Sequence, residues 1–182
     1  LLVLSAKTPA ALDVSVARML DRLQREPALD AADVCFTLGT GRAHFDHRVA
    51  VIGQDLPSLL RVLERIASAA ADRRATHGEP DAFTSDDVAS SASAESYYQV
   101  HVRPRLSKFT EDMRRYLGRL CAGRQASDWL HAHLGLAGEH YDHASDVCPE
   151  LSPSQWRELV SVLGALYAAG ATIDWSALYA GM

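Results

Sequence analysis

The sequence lacks the features that mark membrane proteins and nucleic-acid-binding proteins. No apolar run approaches the ~20 residues that a helix needs to cross a bilayer. Positive charge is also in deficit, because 18 Lys and Arg residues stand against 23 Asp and Glu residues, for a formal net charge of −5. Proteins that bind nucleic acid usually show the opposite balance. We therefore expect neither a membrane nor a nucleic-acid partner, and we expect a cytoplasmic location.

Cysteine is scarce. Cys35, Cys121 and Cys148 are far apart, and no two of them form a CxxC motif. An odd number at these spacings predicts neither a disulfide framework nor a zinc site, so we expect reduced and mostly buried thiols. The chain opens on an apolar segment without a charged leader or an initiator methionine, which favours a fragment of a longer polypeptide.

The residues that are present indicate an ordinary globular core. Hydrophobic residues make up 48% and charged residues 23%, which is typical of folded domains. Apolar runs at 1–6 and 47–53 predict buried strands, and DAFTSD at 81–86 predicts a short third strand. The spacing of apolar residues between these runs predicts amphipathic helices. The expected fold class is α+β, with a small three-stranded sheet covered by helices in residues 1–88, followed by a mainly helical segment.

The composition changes after the predicted sheet. Small and polar residues over 85–96 predict a linker, because such a segment has little to bury. The expected organisation is an α/β linker domain at 1–88, a flexible linker at 89–96 and a helical flanking segment at 97–182.

Local signals for helices are clear in the flanking segment. In LSPSQW, Ser152 fits the N-cap and Gln155 the third helical position of a capping box. Leu151 and Trp156 fit the hydrophobic staple that often accompanies such a box. A helix is also predicted after Pro104, with these apolar residues on one face: Leu106, Phe109, Met113, Leu117 and Leu120.

The segment TLGTGRAHFDHRVAVIG at 37–53 has the residue types of an active site. Its glycines are not followed by the Lys and Ser or Thr of a phosphate loop. No GxSxG nucleophile elbow accompanies its histidines. We therefore predict a scaffold in which Gly39 and Gly41 end a helix, while His44 and Arg48 bond to local carboxylates and carbonyls. No catalytic residue and no cofactor is expected.

A second interpretation depends on HAHLGLAGEHYDH at 131–143. This segment holds ligand types suited to zinc or iron: His131, His133, Glu139, His140, Asp142 and His143. The first two histidines are two residues apart, which on a helix directs them away from each other. A His-rich connection between helices is therefore favoured, and a small metal-dependent enzyme is the alternative.

Positive charge is concentrated at 101–124, against the acidic balance of the whole chain. Most such runs are solvated helix faces, and the alternative is a docking surface for an acidic partner. The candidate contacts are Arg103, Arg105, Arg114 and Arg115. Near the end of the sequence, Trp175 and Tyr179 are four residues apart on one helical face, which is typical of an anchor laid on a neighbouring surface. We include both in the partner-binding set.

Two stretches resemble parts of modular polyketide synthases. LLVLSAKTPAALDVSVARMLDRL, followed by DVCFTLGTGRAHFDHRVAVIG, resembles the linker that follows the ketosynthase domain. That family segment also opens with an apolar strand and SA, has a long helix, and continues through TL…GR…F.HR to a strand ending in glycine. The positions that fit this pattern are Thr37, Leu38, Gly41, Arg42, Phe45, His47, Arg48 and Gly53.

The end of the sequence is similar to the stretch that closes an acyltransferase region in these synthases. The positions on that pattern are Gly170, Asp174, Trp175 and Tyr179. The residues between the two matching ends are too few for a resident acyltransferase, and they contain no serine elbow. The resemblance implies a noncatalytic module of a synthase whose malonyl acyltransferase acts in trans. Its implied partners are that free-standing acyltransferase and the adjacent ketosynthase of the same polypeptide. The remaining alternative is a purely structural spacer between ketosynthase and carrier domains.

Overall fold

The computed structural model describes residues 1–71, 81–91, 94–122 and 149–180. Three strands, β1 (Leu2–Ala6), β2 (His47–Val51) and β3 (Ala82–Thr84), form an antiparallel sheet with β2 in the centre. The third strand and the α+β class that the sequence predicts are thereby confirmed.

The first helices lie where the apolar periodicity predicts them. They are α1 (Pro9–Arg25), α2 (Ala31–Thr40) and α3 (Leu56–Ala71). Thr8 caps α1 by accepting a hydrogen bond from the Ala11 N–H, and Asp30 caps α2 in the same way through Ala32. A side-chain acceptor at these positions satisfies amide groups that have no partner inside the helix.

The rest of the described chain is mainly helical. Its elements are α4 (Ser85–Ser90), α5 (Ala94–His101), α6 (Arg103–Leu106), α7 (Glu111–Leu120), β4 (Cys121–Ala122), α8 (Pro153–Ala168), β5 (Thr172–Ile173) and α9 (Trp175–Tyr179). Strands β4 and β5 pair in antiparallel fashion, so the end of α7 lies beside the turn that leads into α9. Within the described residues, no helix combines the length and apolar character that a bilayer span requires.

The linker predicted over 85–96 is in large part helical. Thr84 and Asp87 form a reciprocal capping box that starts α4 directly after β3. A second helix, α5, begins at Ala94. Small polar residues are also the residues that cap short helices, so the composition of this stretch did not indicate α4. The assignment of 89–96 as a flexible linker stays a prediction.

The helix predicted after Pro104 is divided in two. Helix α6 ends at Leu106, and α7 begins only at Glu111, where the Thr110 side chain accepts a hydrogen bond from the Met113 N–H. The apolar face is nevertheless confirmed, because all five of its members are buried: Leu106, Phe109, Met113, Leu117 and Leu120.

Both faces of the sheet are buried. Val49 and Val51 of β2 lie in the cluster formed with α1 and α3, whereas Ala50 and Ile52 lie in the cluster formed with α7 and α8. This alternation follows from the two-residue repeat of a strand. The sheet is therefore shared, because the flanking segment covers one of its faces and the first three helices cover the other.

Helix α8 has well-defined ends. At its start, the Ser152 side chain accepts from the Gln155 N–H and the Gln155 side chain accepts from the Ser152 N–H, which confirms the predicted capping box. At its end, Gly170 has a φ of 98° and Ala171 N–H donates to the Leu166 carbonyl. A glycine accommodates this left-handed turn without strain, so the chain reverses sharply here.

Candidate functional site

The segment at 37–53 forms a junction with the far end of the chain. The His44 ring lies between the Gly39 carbonyl, 2.9 Å from Nε2, and the Tyr167 hydroxyl, 2.8 Å from Nδ1. Because a carbonyl can only accept, Nε2 carries the hydrogen, and in the neutral ring Nδ1 accepts from the hydroxyl of Tyr167. The histidine thus connects the end of α2 to the end of α8.

Arg48 is the second connection, and only 8% of its surface is exposed. Its Nε donates to the Phe45 carbonyl at 2.6 Å. Its Nη1 donates to the carbonyls of Tyr167 at 3.2 Å and Ala171 at 2.8 Å. These acceptors surround the C-terminal end of α8, where the helix dipole favours a positive charge. The buried charge is therefore compensated by three carbonyls, and the end of α8 is capped from a distant part of the sequence.

An aromatic cluster completes the junction. The guanidinium of Arg48 lies 4.9 Å from the centroid of the Tyr167 ring. The Trp175 ring packs edge-on against Tyr167, with centroids 5.5 Å apart, and lies 5.8 Å from the His44 ring. Gly39 permits this approach, because a Cβ there would be 3.1 Å from the indole of Trp175. Helix α9 is therefore seated on the end of α2 through Trp175.

Tyr179 makes a second contact of α9 with the first part of the chain. Its hydroxyl donates to the Leu1 carbonyl at 3.2 Å, and its ring packs edge-on against Phe36 with centroids 5.6 Å apart. Burial raises the pKa of Tyr179, so the hydroxyl stays protonated and able to donate. Trp175 and Tyr179 are thus held in contacts within the chain, and their assignment to a separate partner stays a prediction.

The structural contacts predicted at 37–53 are present, but they extend farther than the sequence indicates. Helix α2 ends at Thr40 with Gly41 as its C-cap, as expected, whereas Gly39, also expected to end the helix, lies within it. Arg48 bonds to one local carbonyl, that of Phe45, as expected. Its other two acceptors and the Tyr167 partner of His44 lie more than a hundred residues away, and no local pattern could have identified them.

The predicted basic contacts lie in different surroundings. Arg103 is exposed and donates to the Gln99 side chain at 2.8 Å. Arg115 is paired with Glu111 at 3.5 Å, both side chains being 56% exposed. Arg114 is half-buried, and its Nε has no hydrogen-bond partner among the described residues.

Arg105 lies in a charged cleft of about 360 Å³ between α6 and α8. Lys108 and Arg105 approach the carboxylate of Glu158, at 2.5 Å and 3.9 Å respectively. On the other side of the cleft, Arg157 bonds to Asp81 at 2.6 Å. Lys108 and Arg157 are absent from the set predicted from the sequence. The pairing of Lys108 and Arg157 could not be inferred from the sequence, because their acidic partners lie far away along the chain.

The candidate metal ligands at 131–143 lie outside the described residues. Within the part of the chain that the structure describes, no three His, Cys, Asp or Glu side chains are grouped so as to hold a metal ion. Cys35 and Cys121 are free and buried, as expected, and burial raises the pKa of the Cys121 thiol to about 12.

Comparison with known proteins finds sequence similarity mainly over the first third of the chain. Residues 1–63 match the family model "CurL-like, PKS C-terminal". The chain is 40% identical over 65 residues to the spectinabilin polyketide synthase system protein NorA' of Streptomyces orinoci, covering 36% of this chain and 2% of that protein. It is 36% identical over 76 residues to the polyketide synthase GfsA of Streptomyces halstedii, covering 42% of this chain and 1% of that protein. These matches support a polyketide synthase flanking region, and the chain spans only a small part of each relative.

The fold occurs in a solved structure. The ketosynthase from module 6 of the bacillaene synthase of Bacillus subtilis 168 matches with a TM-score of 0.54 and 17% sequence identity. The match covers 98% of this chain and 23% of that one. At this level of identity the likeness shows a shared fold. Because the match covers nearly the whole chain, the shared fold includes the C-terminal helices as well as the sheet.

Proposed function

We propose that the chain is a noncatalytic linker and docking module of a modular polyketide synthase, lying beside a ketosynthase of the same polypeptide. The observation that carries the proposal is the bonding of Arg48 to the carbonyls of Tyr167 and Ala171. It closes the first and last parts of the chain into one packed body. A linker built in this way can hold its neighbours at fixed positions, because its own ends do not move independently.

The docking role is assigned to the basic residues before and within α7. They would receive a free-standing malonyl acyltransferase that acts in trans. The proposal is supported by the contrast between this local positive charge and the net charge of −5 of the whole chain. Arg103 and Arg115 are exposed and lie where an acidic surface can reach them. Complementary charges of this kind steer association and set the orientation of the partners.

Titration of the free-standing acyltransferase of the same biosynthetic system tests this role. We expect saturable binding with a Kd of order micromolar, about −8 kcal/mol, because a shared enzyme must leave each module after loading it. Binding should weaken as salt shortens the screening length from about 10 Å at 0.1 M to about 3 Å at 1 M. It should also weaken in Arg103→Glu and Arg115→Glu.

Arg18→Glu is the matched control for these charge reversals. Arg18 is an exposed arginine of α1, which covers the opposite face of the sheet. The control should bind like the wild type. Equal weakening in all three variants would show that net charge alone governs the association, and the docking surface would then be wrong.

A purely structural spacer is the second candidate. It is favoured by the pairing of Arg105 with Glu158 and of Arg115 with Glu111, since cations that are paired within the chain need no external partner. Absence of binding to the cognate acyltransferase at tens of micromolar would leave the spacer as the function.

A further inference from the structure

In the charged cleft between α6 and α8, the outermost side chains are cations and the acids are less exposed. Lys108 is 62% exposed and Arg157 52% exposed, whereas the carboxylates of Glu158 and Asp81 are each 26% exposed. The rim that faces solvent is therefore cationic, and the acids lie beneath it. Two carboxylates against Lys108, Arg157 and Arg105 leave an excess of positive charge in a chain that is acidic overall.

Arg105 is held in place before any ligand arrives. Its Nη1 donates to the His101 carbonyl at 2.6 Å, and its guanidinium lies 5.7 Å from the centroid of the Phe83 ring. Glu158 is reached by both Arg105 and Lys108, so two cations converge on one carboxylate. A site with one of its cations already positioned loses less conformational entropy when a ligand binds.

A carboxylate of another molecule can replace Glu158 as the partner of Lys108. Pairs that remain open to water contribute only about 0–1 kcal/mol, since solvent screens them. Moving Lys108 from Glu158 to an external carboxylate therefore costs little. We infer that the cleft binds an aspartate or glutamate side chain of an acidic segment in a partner protein, and that Glu158 occupies this position until the partner displaces it. That the partner is a protein rests on the proposed docking function. This inference deepens that function by placing the contact at Lys108.

A labelled acidic peptide carrying several glutamates tests the site on the full chain by fluorescence anisotropy at low salt. Glu158→Gln removes the internal competitor and should lower the Kd of the peptide about two- to fivefold. Lys108→Glu reverses the exposed cation and should raise the Kd at least fivefold. Thermal melts of both variants check that the fold is retained.

Glu26→Gln is the matched control for Glu158→Gln. It removes an exposed carboxylate that is also paired with an arginine, Arg22, but at the end of α1, which covers the opposite face of the sheet. The Kd of the peptide for this variant should stay close to that for the wild type. If Glu26→Gln tightens binding as much as Glu158→Gln, or if Lys108→Glu binds normally, the site is wrong.

Failure of the site and failure of the docking function give different results. An acyltransferase that binds with an affinity unaffected by Lys108→Glu and Glu158→Gln overturns the cleft and leaves the docking function intact. Peptide binding that follows the expected pattern, with no binding of the acyltransferase, supports the cleft and overturns that enzyme as the partner.

Discussion

The side chain of Arg48 donates to the carbonyl of Ala171, which lies 123 residues later in the sequence and just beyond the end of α8. One buried guanidinium thereby connects the start of the central strand with the turn that follows α8. Residues of the segment at 37–53 thus hold two distant parts of the chain together.

Loss of the Arg48 side chain should destabilise the whole chain. In Arg48→Met the volume is nearly conserved, while the carbonyls of Phe45 and Ala171 lose their donor. The Tyr167 carbonyl keeps the Gly170 N–H as a donor. Acceptors left without a partner cost about 1–3 kcal/mol each, so we expect the free energy of unfolding to fall by about 2 kcal/mol or more. Urea denaturation followed by far-UV circular dichroism measures the change.

Arg42→Met is the control for that variant, because Arg42 belongs to the same segment and is exposed. Its effect should stay within about 0.5 kcal/mol. Arg48→Lys should lie between the two, since an ammonium keeps the charge but cannot donate in a planar fork. Equal stability of Arg48→Met and Arg42→Met would show that the cap contributes nothing.

Substitution of Trp156 tests the contacts that hold the start of α8. The structure leaves it half-buried against the core that α8 forms with the sheet. Trp156→Ala should therefore cost about 2 kcal/mol, below the ~3–5 kcal/mol of a fully buried aromatic. Ser152→Ala, which removes the capping box, should cost about 1 kcal/mol. Thermal and urea melts measure both, and a loss below about 0.5 kcal/mol in Trp156→Ala would show that the staple makes no contribution.

Local sequence patterns predicted the elements well because their causes are local. Strand alternation, helical periodicity and the Ser152 to Gln155 box each depend on residues within a few positions of one another. The stretch at 85–96 was one exception, since its composition concealed the capping box of Thr84 and Asp87. The helix predicted after Pro104 was another, because it is divided into α6 and α7.

The site was less predictable because its contacts join distant segments. Nothing near Arg48 in the sequence indicates that its acceptors are the carbonyls at the end of α8. The pairing of Lys108 with Glu158, 50 residues away, was hidden for the same reason. Trp175 and Tyr179 were correctly expected on one helical face, but the surface beneath them emerged only from the fold.

Alkaline pH should destabilise the protein through its buried thiol. The pKa of Cys121 rises from an ordinary value of 9.0 to about 12 in the folded chain because of burial. The unfolded chain therefore loses this proton first, and stability is full below pH 9 and falls as the pH rises toward 12. One such group contributes about 1 kcal/mol per pH unit.

Urea unfolding of the wild type and of Cys121→Ala at several pH values between 8 and 10 measures this effect. The free energy of unfolding should decline less steeply above pH 9 in the variant than in the wild type. Tyr167, whose pKa burial also raises, adds its own loss at higher pH in both proteins. Parallel curves for the two proteins would mean that the Cys121 thiol does not titrate differently on unfolding.

The most direct test of the junction is a double-mutant cycle between His44 and Tyr167. Tyr167→Phe removes only the hydroxyl that bonds to Nδ1, His44→Ala removes the ring, and the double variant completes the cycle. If the segment at 37–53 holds the end of α8 in place, urea unfolding should give a coupling energy of about 1 kcal/mol. Additivity of the two single changes to within about 0.3 kcal/mol would contradict the account, because it would mean that the two residues do not act on each other in the folded chain.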